Sequence, residues 1–191
     1  MKKPLILFAA FLVLFSCSTD DSDNSNAPQS SFCDTTFPFI KEGRTLTYNF
    51  GTFGTQTAFG TIKIGSCINE EGFEVERDIP LGTGIDIWRQ NGEFLEIDSN
   101  GDGDYWVKAY KKNPTLGETW EFPQPDGDIV TYKVISVDST ITVPAGTYTC
   151  KVLSYTNTGI INTTYIFWDD EIGQVKATGF GAYELESVVE E

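Results

Sequence analysis

The sequence predicts an all-β protein: a single antiparallel meander closing as a barrel or strongly curved half-barrel, with a β-sandwich as the alternative. Three observations predict it. Runs rich in Thr, Val, Ile, Tyr and Phe recur at strand length, and β-branched and aromatic residues fit a pleated, half-buried surface. Clusters of Pro, Gly, Asn and Asp separate these runs at close intervals. No apolar stripe of 3.6-residue period reaches helical length.

The first clear strand is 45–50, T-L-T-Y-N-F, which sets Leu46, Tyr48 and Phe50 on one face. Residues 58–66 return with Ile62 and Ile64 facing the core, and 73–79 follows Glu70-Glu71-Gly72. Pro80 and Gly82 break the chain. Residues 85–90 and 93–98 flank Asn91-Gly92, a two-residue hairpin loop of the kind that needs positive φ. Strand 105–111 runs to the Asn113-Pro114 break. Residues 117–122 form a strand short enough for an edge, and Pro123 and Pro125, which have no ladder donor, argue against pairing immediately beyond it. Strand 128–137 alternates. Strands 141–143 and 147–156 flank Val143-Pro144-Ala145-Gly146, where Pro occupies a turn position its fixed φ suits. Strands 161–168, 174–178 and 183–189 bring the count to eleven or twelve. Consecutive hairpins make a meander, and closure removes its edges. Gly60, Gly82, Gly84 and Gly179 permit the kinks that curvature needs.

The N-terminus carries an address. Lys2 and Lys3 precede an apolar run, residues 5–15, that is too short to span a bilayer. Leu14-Phe15-Ser16-Cys17 follows and resembles a bacterial lipoprotein signal, which implies removal of residues 1–16 and lipidation of Cys17. Residues 17–31 hold no large apolar side chain and are expected to be a disordered acidic tether, leaving 32–191 as the β domain. Asp20, Asp21 and Asp23 resemble the export signal of surface lipoproteins in the Bacteroidota, so the expected place is the outer membrane, with the cell surface preferred to the periplasmic face. Loss of Lys2 and Lys3 takes the formal charge from −15 to −17. That charge excludes nucleic acid and anionic head groups as partners and leaves the lipid as the membrane contact.

Cys33, Cys67 and Cys150 remain. Outside the cytoplasm a disulfide is permitted, and Cys33 with Cys67 is the expected pair because a hairpin between them brings both to one end of the sheet. Cys150 shares a face with Tyr148 and Val152 and reads as a small buried apolar residue. The chain has no His and no CxxC, which excludes a Cys/His zinc site.

V-P-A-G-T-Y-T-C-K-V, residues 143–152, and Y-I-F-W-D-D-E-I-G-Q-V-K, residues 165–176, resemble a group of Bacteroidota lipoproteins of no established activity. Those carry a G-x-x-W stretch, here Gly117 to Trp120, then a V-P-A-G-T-F/Y turn, then an aromatic strand ending in V/I-G-x-V-K. The resemblance implies an extracytoplasmic β-domain and brings no functional residues with it.

Asp98-Ser99-Asn100-Gly101-Asp102-Gly103-Asp104 matches the first half of a calcium loop: oxygen ligands at alternate positions and Gly at the bend. Asp98, Asn100, Asp102 and Asp104 are therefore candidate calcium ligands, and calcium is the one cofactor the sequence puts forward. Ala109 stands where the bidentate Glu of a full loop belongs, and the competing reading is an acidic hairpin tip. Asp169-Asp170-Glu171 reads as a solvated turn. With no His to serve as base, no G-x-S-x-G, no phosphate loop and no dinucleotide fingerprint, the expectation is a protein that is not an enzyme. Among Trp88, Trp106, Trp120 and Trp168, Trp106 is the candidate ligand-binding ring because it lies beside the acidic tip. The expected function is a non-catalytic binding module for a glycan or apolar ligand. The alternative is a structural or accessory lipoprotein that docks to other envelope proteins. An aromatic-lined pocket favours the first and a flat apolar patch the second.

Overall fold

The computed structural model describes residues 31–53, 56–80, 82–99, 101–179 and 181–191. Twelve antiparallel strands form one sheet: β1 (Arg44–Phe53), β2 (Gln56–Ile68), β3 (Gly72–Ile79), β4 (Gly82–Asn91), β5 (Phe94–Asp98), β6 (Val107–Lys111), β7 (Thr119–Pro123), β8 (Ile129–Val143), β9 (Gly146–Asn157), β10 (Ile160–Asp169), β11 (Gly173–Thr178) and β12 (Tyr183–Glu190). Their order is β6-β5-β4-β3-β2-β1-β12-β11-β10-β9-β8-β7. All neighbours but one pair are consecutive in sequence. The exception joins the first strand to the last, with Arg44 opposite Glu190 and Thr45 opposite Val189. The sheet thus curls into a nearly closed barrel, as the run of hairpins predicts.

Its free edges, β6 and β7, meet at a seam held by side chains. The Trp120 indole N–H donates to the Lys108 carbonyl at 2.8 Å. Lys111 pairs with Glu118 across the gap. The Trp120 ring meets Phe94 edge-on at 5.8 Å, and Tyr105 approaches Phe122 at 6.3 Å. A donor and rings here stand in for the missing ladder.

A second weak joint lies between β11 and β12, which share only Lys176–Glu184 and Ala177–Tyr183. Below these pairs the strands diverge, and other groups satisfy the carbonyls at the fork. The Tyr48 hydroxyl donates to the Gln174 carbonyl at 2.8 Å, and the tip of the β8–β9 hairpin does the same for Leu185 through the Ala145 N–H at 3.2 Å. The hairpin reaches that far because β8 is a single strand. The sequence separates 128–137 from 141–143, but register shifts between Val134 and Ser136 and between Ser136 and Ser139 absorb the lapse in alternation. Such irregularities bend a strand without ending it.

One turn also falls elsewhere than expected. Asn91 pairs with Phe94, so the β4–β5 turn is Gly92-Glu93 and not Asn91-Gly92. Gly92, at φ 60°, supplies the positive φ at the first turn position. Gly60 meets a requirement for close approach: a Cβ there would come 2.9 Å from the Asp78 carbonyl oxygen and the Ile79 Cα.

Two apolar clusters fill the molecule. The larger draws Ile64, Val75, Trp88, Leu95, Tyr110, Trp120, Tyr132, Leu153 and Trp168 from nine strands. The smaller, at the β11–β12 fork, gathers Leu46, Tyr48, Val143, Cys150, Val175 and Leu185. Cys150 is fully buried there, its thiol unpaired, and burial pushes its pKa up to about 12.

Residues 31–43 form no strand and cross one end of the barrel as a strap. Phe37, Phe39 and Ile40 are buried, and Phe39 packs 5.7 Å from Trp168 and 6.1 Å from Tyr110. A disulfide joins Cys33 of the strap to Cys67 of β2, with their Cα atoms 5.5 Å apart. The Thr36 N–H donates to the Gln90 side-chain oxygen at 2.6 Å, and Arg44 reaches the Glu171 carbonyl at 2.7 Å.

Candidate functional site

The end opposite the strap carries the β1–β2, β3–β4, β5–β6, β7–β8, β9–β10 and β11–β12 connections. There β12 begins at Tyr183, whereas β1 runs on to Phe53, and the β1–β12 ladder stops at Asn49 opposite Glu184. This mismatch in length opens a notch of about 360 Å³. Phe50 and Tyr183 present half-buried rings to it, with centroids 5.2 Å apart. Tyr48, edge-on at 5.1 Å, supports Tyr183 from behind. Burial raises the Tyr183 phenol well above its ordinary pKa, so it stays neutral.

The polar rim is under-used by the protein. Asn49 accepts the Gly51 N–H at 2.8 Å through its side-chain oxygen. Its amide N–H₂ and the hydroxyls of Thr57 and Thr178 have no partner among the described residues. Lys176 and Glu184 form a loose pair at 3.3 Å, each about one-third exposed, which leaves the rim close to neutral. Two accessible rings with unpaired hydroxyl and amide groups match the two faces of a sugar: C–H edges for the rings, hydroxyls for the polar groups.

A second cleft, of about 270 Å³, lies at the strap end between Phe37 and Pro38, Tyr110 and Lys112 of the β6 side, and Asp170 of the β10–β11 turn. Tyr110 stacks on Trp168 at 4.8 Å and donates its hydroxyl to Asp170 at 2.7 Å. Lys151 bonds the other oxygen of that carboxylate. Burial works to raise the Asp170 pKa, but the Lys151 ammonium and the Tyr110 hydroxyl outweigh it and hold it below the ordinary value. Burial, and then that carboxylate, push the Tyr110 phenol far up.

The structure places the residues singled out by sequence as follows. Trp106 is half-buried, and the Arg89 guanidinium lies 3.5 Å from its ring centroid. The Phe32 ring centroid lies 4.5 Å from the same guanidinium, and Glu96 binds it at 2.9 Å. Trp106 is therefore part of a clamp that ties strap to barrel wall, its indole N–H donating to the Gly103 carbonyl at 3.1 Å. Asp98 is buried and accepts the Gly103 N–H at 2.7 Å, while Asp102 accepts from the Asp104 N–H at 3.0 Å. Asn100 and Cys17 lie outside the described residues. Among the described residues no three His, Cys, Asp or Glu side chains gather as a metal site. Trp88, Trp120 and Trp168 are core. Asp169 is used within its own turn, accepting from the Glu171 and Ile172 N–H groups at 2.9 and 3.1 Å.

The notch escapes local sequence reading because Asn49 and Tyr183 belong to opposite ends of the chain. The signal that does exist is topological: in a closing meander the first and last strands must meet.

No known family description matches the chain, and neither does any curated protein. The fold does have a solved counterpart. A Bacteroides fragilis protein, inferred to be exported and of YmcC-like fold, superposes with a TM-score of 0.53 at 14% identity, over 78% of this chain and 97% of its own. At that identity the likeness is one of fold.

Proposed function

We propose that this chain is a non-catalytic, extracytoplasmic binding module, held to the outer membrane by a lipid on Cys17, that takes an uncharged sugar unit into the notch between β1 and β12. The observation that carries this is the notch itself, with two half-buried rings beside hydroxyl and amide groups that the protein leaves without partners. The lipoprotein-like leader, the likeness to Bacteroidota lipoproteins and the Bacteroides fold counterpart support the location. The tether would join the barrel at the strap, so the notch would face away from the membrane. The titratable groups support a non-catalytic role. The Cys150 thiol and the Tyr110 phenol are pushed away from reactivity; burial, with a smaller push from the Asp98 charge, raises the Asp86 carboxyl, but Arg77 occupies it at 3.2 Å and it lies on the sheet face opposite Asp98, which pairs with Ile87.

The test is a glycan array probed with residues 31–191, followed by calorimetry on the sugars retained. Asn49→Ala and Thr178→Val are expected to weaken binding about tenfold, and Trp106→Ala to leave it unchanged. Retention of no sugar, or affinity indifferent to Asn49 and Thr178, overturns the reading.

A further inference from the structure

The strap-end cleft differs from the notch in its charge. Its floor is apolar, made of the Phe37, Pro38 and Tyr110 side chains. The carboxylate at its rim, Asp170, is already matched by Lys151 and Tyr110. The ammonium at its rim is not matched. Lys112 donates to the neutral Thr36 hydroxyl at 2.7 Å and has no carboxylate partner among the described residues. Most other basic side chains are in ion pairs: Lys41, Arg44, Lys63, Arg77, Arg89, Lys111, Lys151 and Lys176. In a chain of formal charge −15, an uncompensated cation over an apolar floor marks a place for an anion with an apolar body.

We infer that the strap-end cleft binds a small monocarboxylate, with its apolar body on Phe37, Pro38 and Tyr110 and its carboxylate on Lys112. A volume of about 270 Å³ admits a single ring or a short branched chain and excludes a long acyl chain. The cleft exists only when the strap is seated, because Thr36, Phe37 and Pro38 form one wall. This inference is independent of the sugar reading, which concerns the opposite end of the barrel.

The test uses residues 31–191, which hold both apolar clusters, the strap and the disulfide. Benzoate is titrated at low ionic strength while amide resonances are followed by NMR. Saturable shifts are expected at Thr36, Phe37, Tyr110 and Asn113. Benzyl alcohol, which keeps the ring and lacks the charge, is expected to bind about tenfold more weakly. Lys112→Gln, which keeps a polar contact to Thr36, is expected to lose a similar factor, whereas Lys133→Gln on the exposed face of β8 changes nothing. Asp170→Asn leaves Lys151 without its counter-charge and is expected to tighten benzoate binding severalfold. Benzoate affinity equal in Lys112→Gln and the parent, or shifts confined to other surfaces, overturns the inference. So does Asp170→Asn weakening the complex, because a merely structural Asp170 predicts that sign.

Discussion

The two ends of the barrel are built on opposite plans. At the strap end rings are buried and the chain is tied down: a disulfide, the Phe32–Arg89–Trp106 clamp and the Phe37, Phe39 and Ile40 plug follow one another along thirteen residues. At the other end strands of unequal length leave rings half-covered and hydroxyls unmatched. The difference teaches that closing a sheet into a barrel does not distribute order evenly. Tight packing gathers where the chain folds back over the opening, and half-covered rings remain where turns alone finish the strands.

The comparison breaks most severely at Phe39. Phe39→Ala empties a position between Trp168 and Tyr110 and is expected to cost about 3–5 kcal/mol in denaturant unfolding, with the sugar proposed for the notch still bound by the folded fraction. Replacing Cys33 and Cys67 together by Ser opens a link across 34 residues and is expected to cost about 2–4 kcal/mol, and the part of the tryptophan fluorescence that Trp106→Phe removes should report release of the strap. Tyr48→Phe strips the part-buried Gln174 carbonyl of this donor and is expected to cost about 1–3 kcal/mol. Unlike the strap variants, it should raise hydrogen exchange around β11 and β12 first. The smallest effect is in pH. The folded Asp170 pKa lies below its ordinary 3.8, so its contribution to stability is complete above that value and is lost as the pH falls through the folded pKa. Asp170→Asn should flatten this part of the acid-unfolding curve, read by circular dichroism from pH 5 downward.

What the sequence discloses and what it conceals follow from distance along the chain. Hairpins are local, so alternation in 45–50, the shortness of 117–122 and the V-P-A-G turn disclose strands, an edge and their order, whereas Pro123, expected to end pairing, lies in β7 opposite Ile129 because an edge strand needs no donor on its open side. The strap has no period to read, because Phe37, Phe39 and Ile40 are buried by what lies across from them. The clamp joins Phe32, Arg89 and Trp106, and no local pattern distinguishes a ring that will stack on a guanidinium from one left open to a ligand. The slip of the β4–β5 turn has a similar cause. Asn91-Gly92 and Gly92-Glu93 are both good two-residue loops, and the choice between them is made by cross-strand packing such as Trp88 with Ile97.

The pairing of Arg44 with Glu190 bears on the order in which the barrel can assemble. Most hairpins here can form as soon as their residues are available, but the ladder between the first strand and the last waits for nearly the whole chain. A chain that emerges from its N-terminus therefore cannot close its wall halfway. Hairpins can stand ready earlier, but the wall closes only when the last strand has arrived.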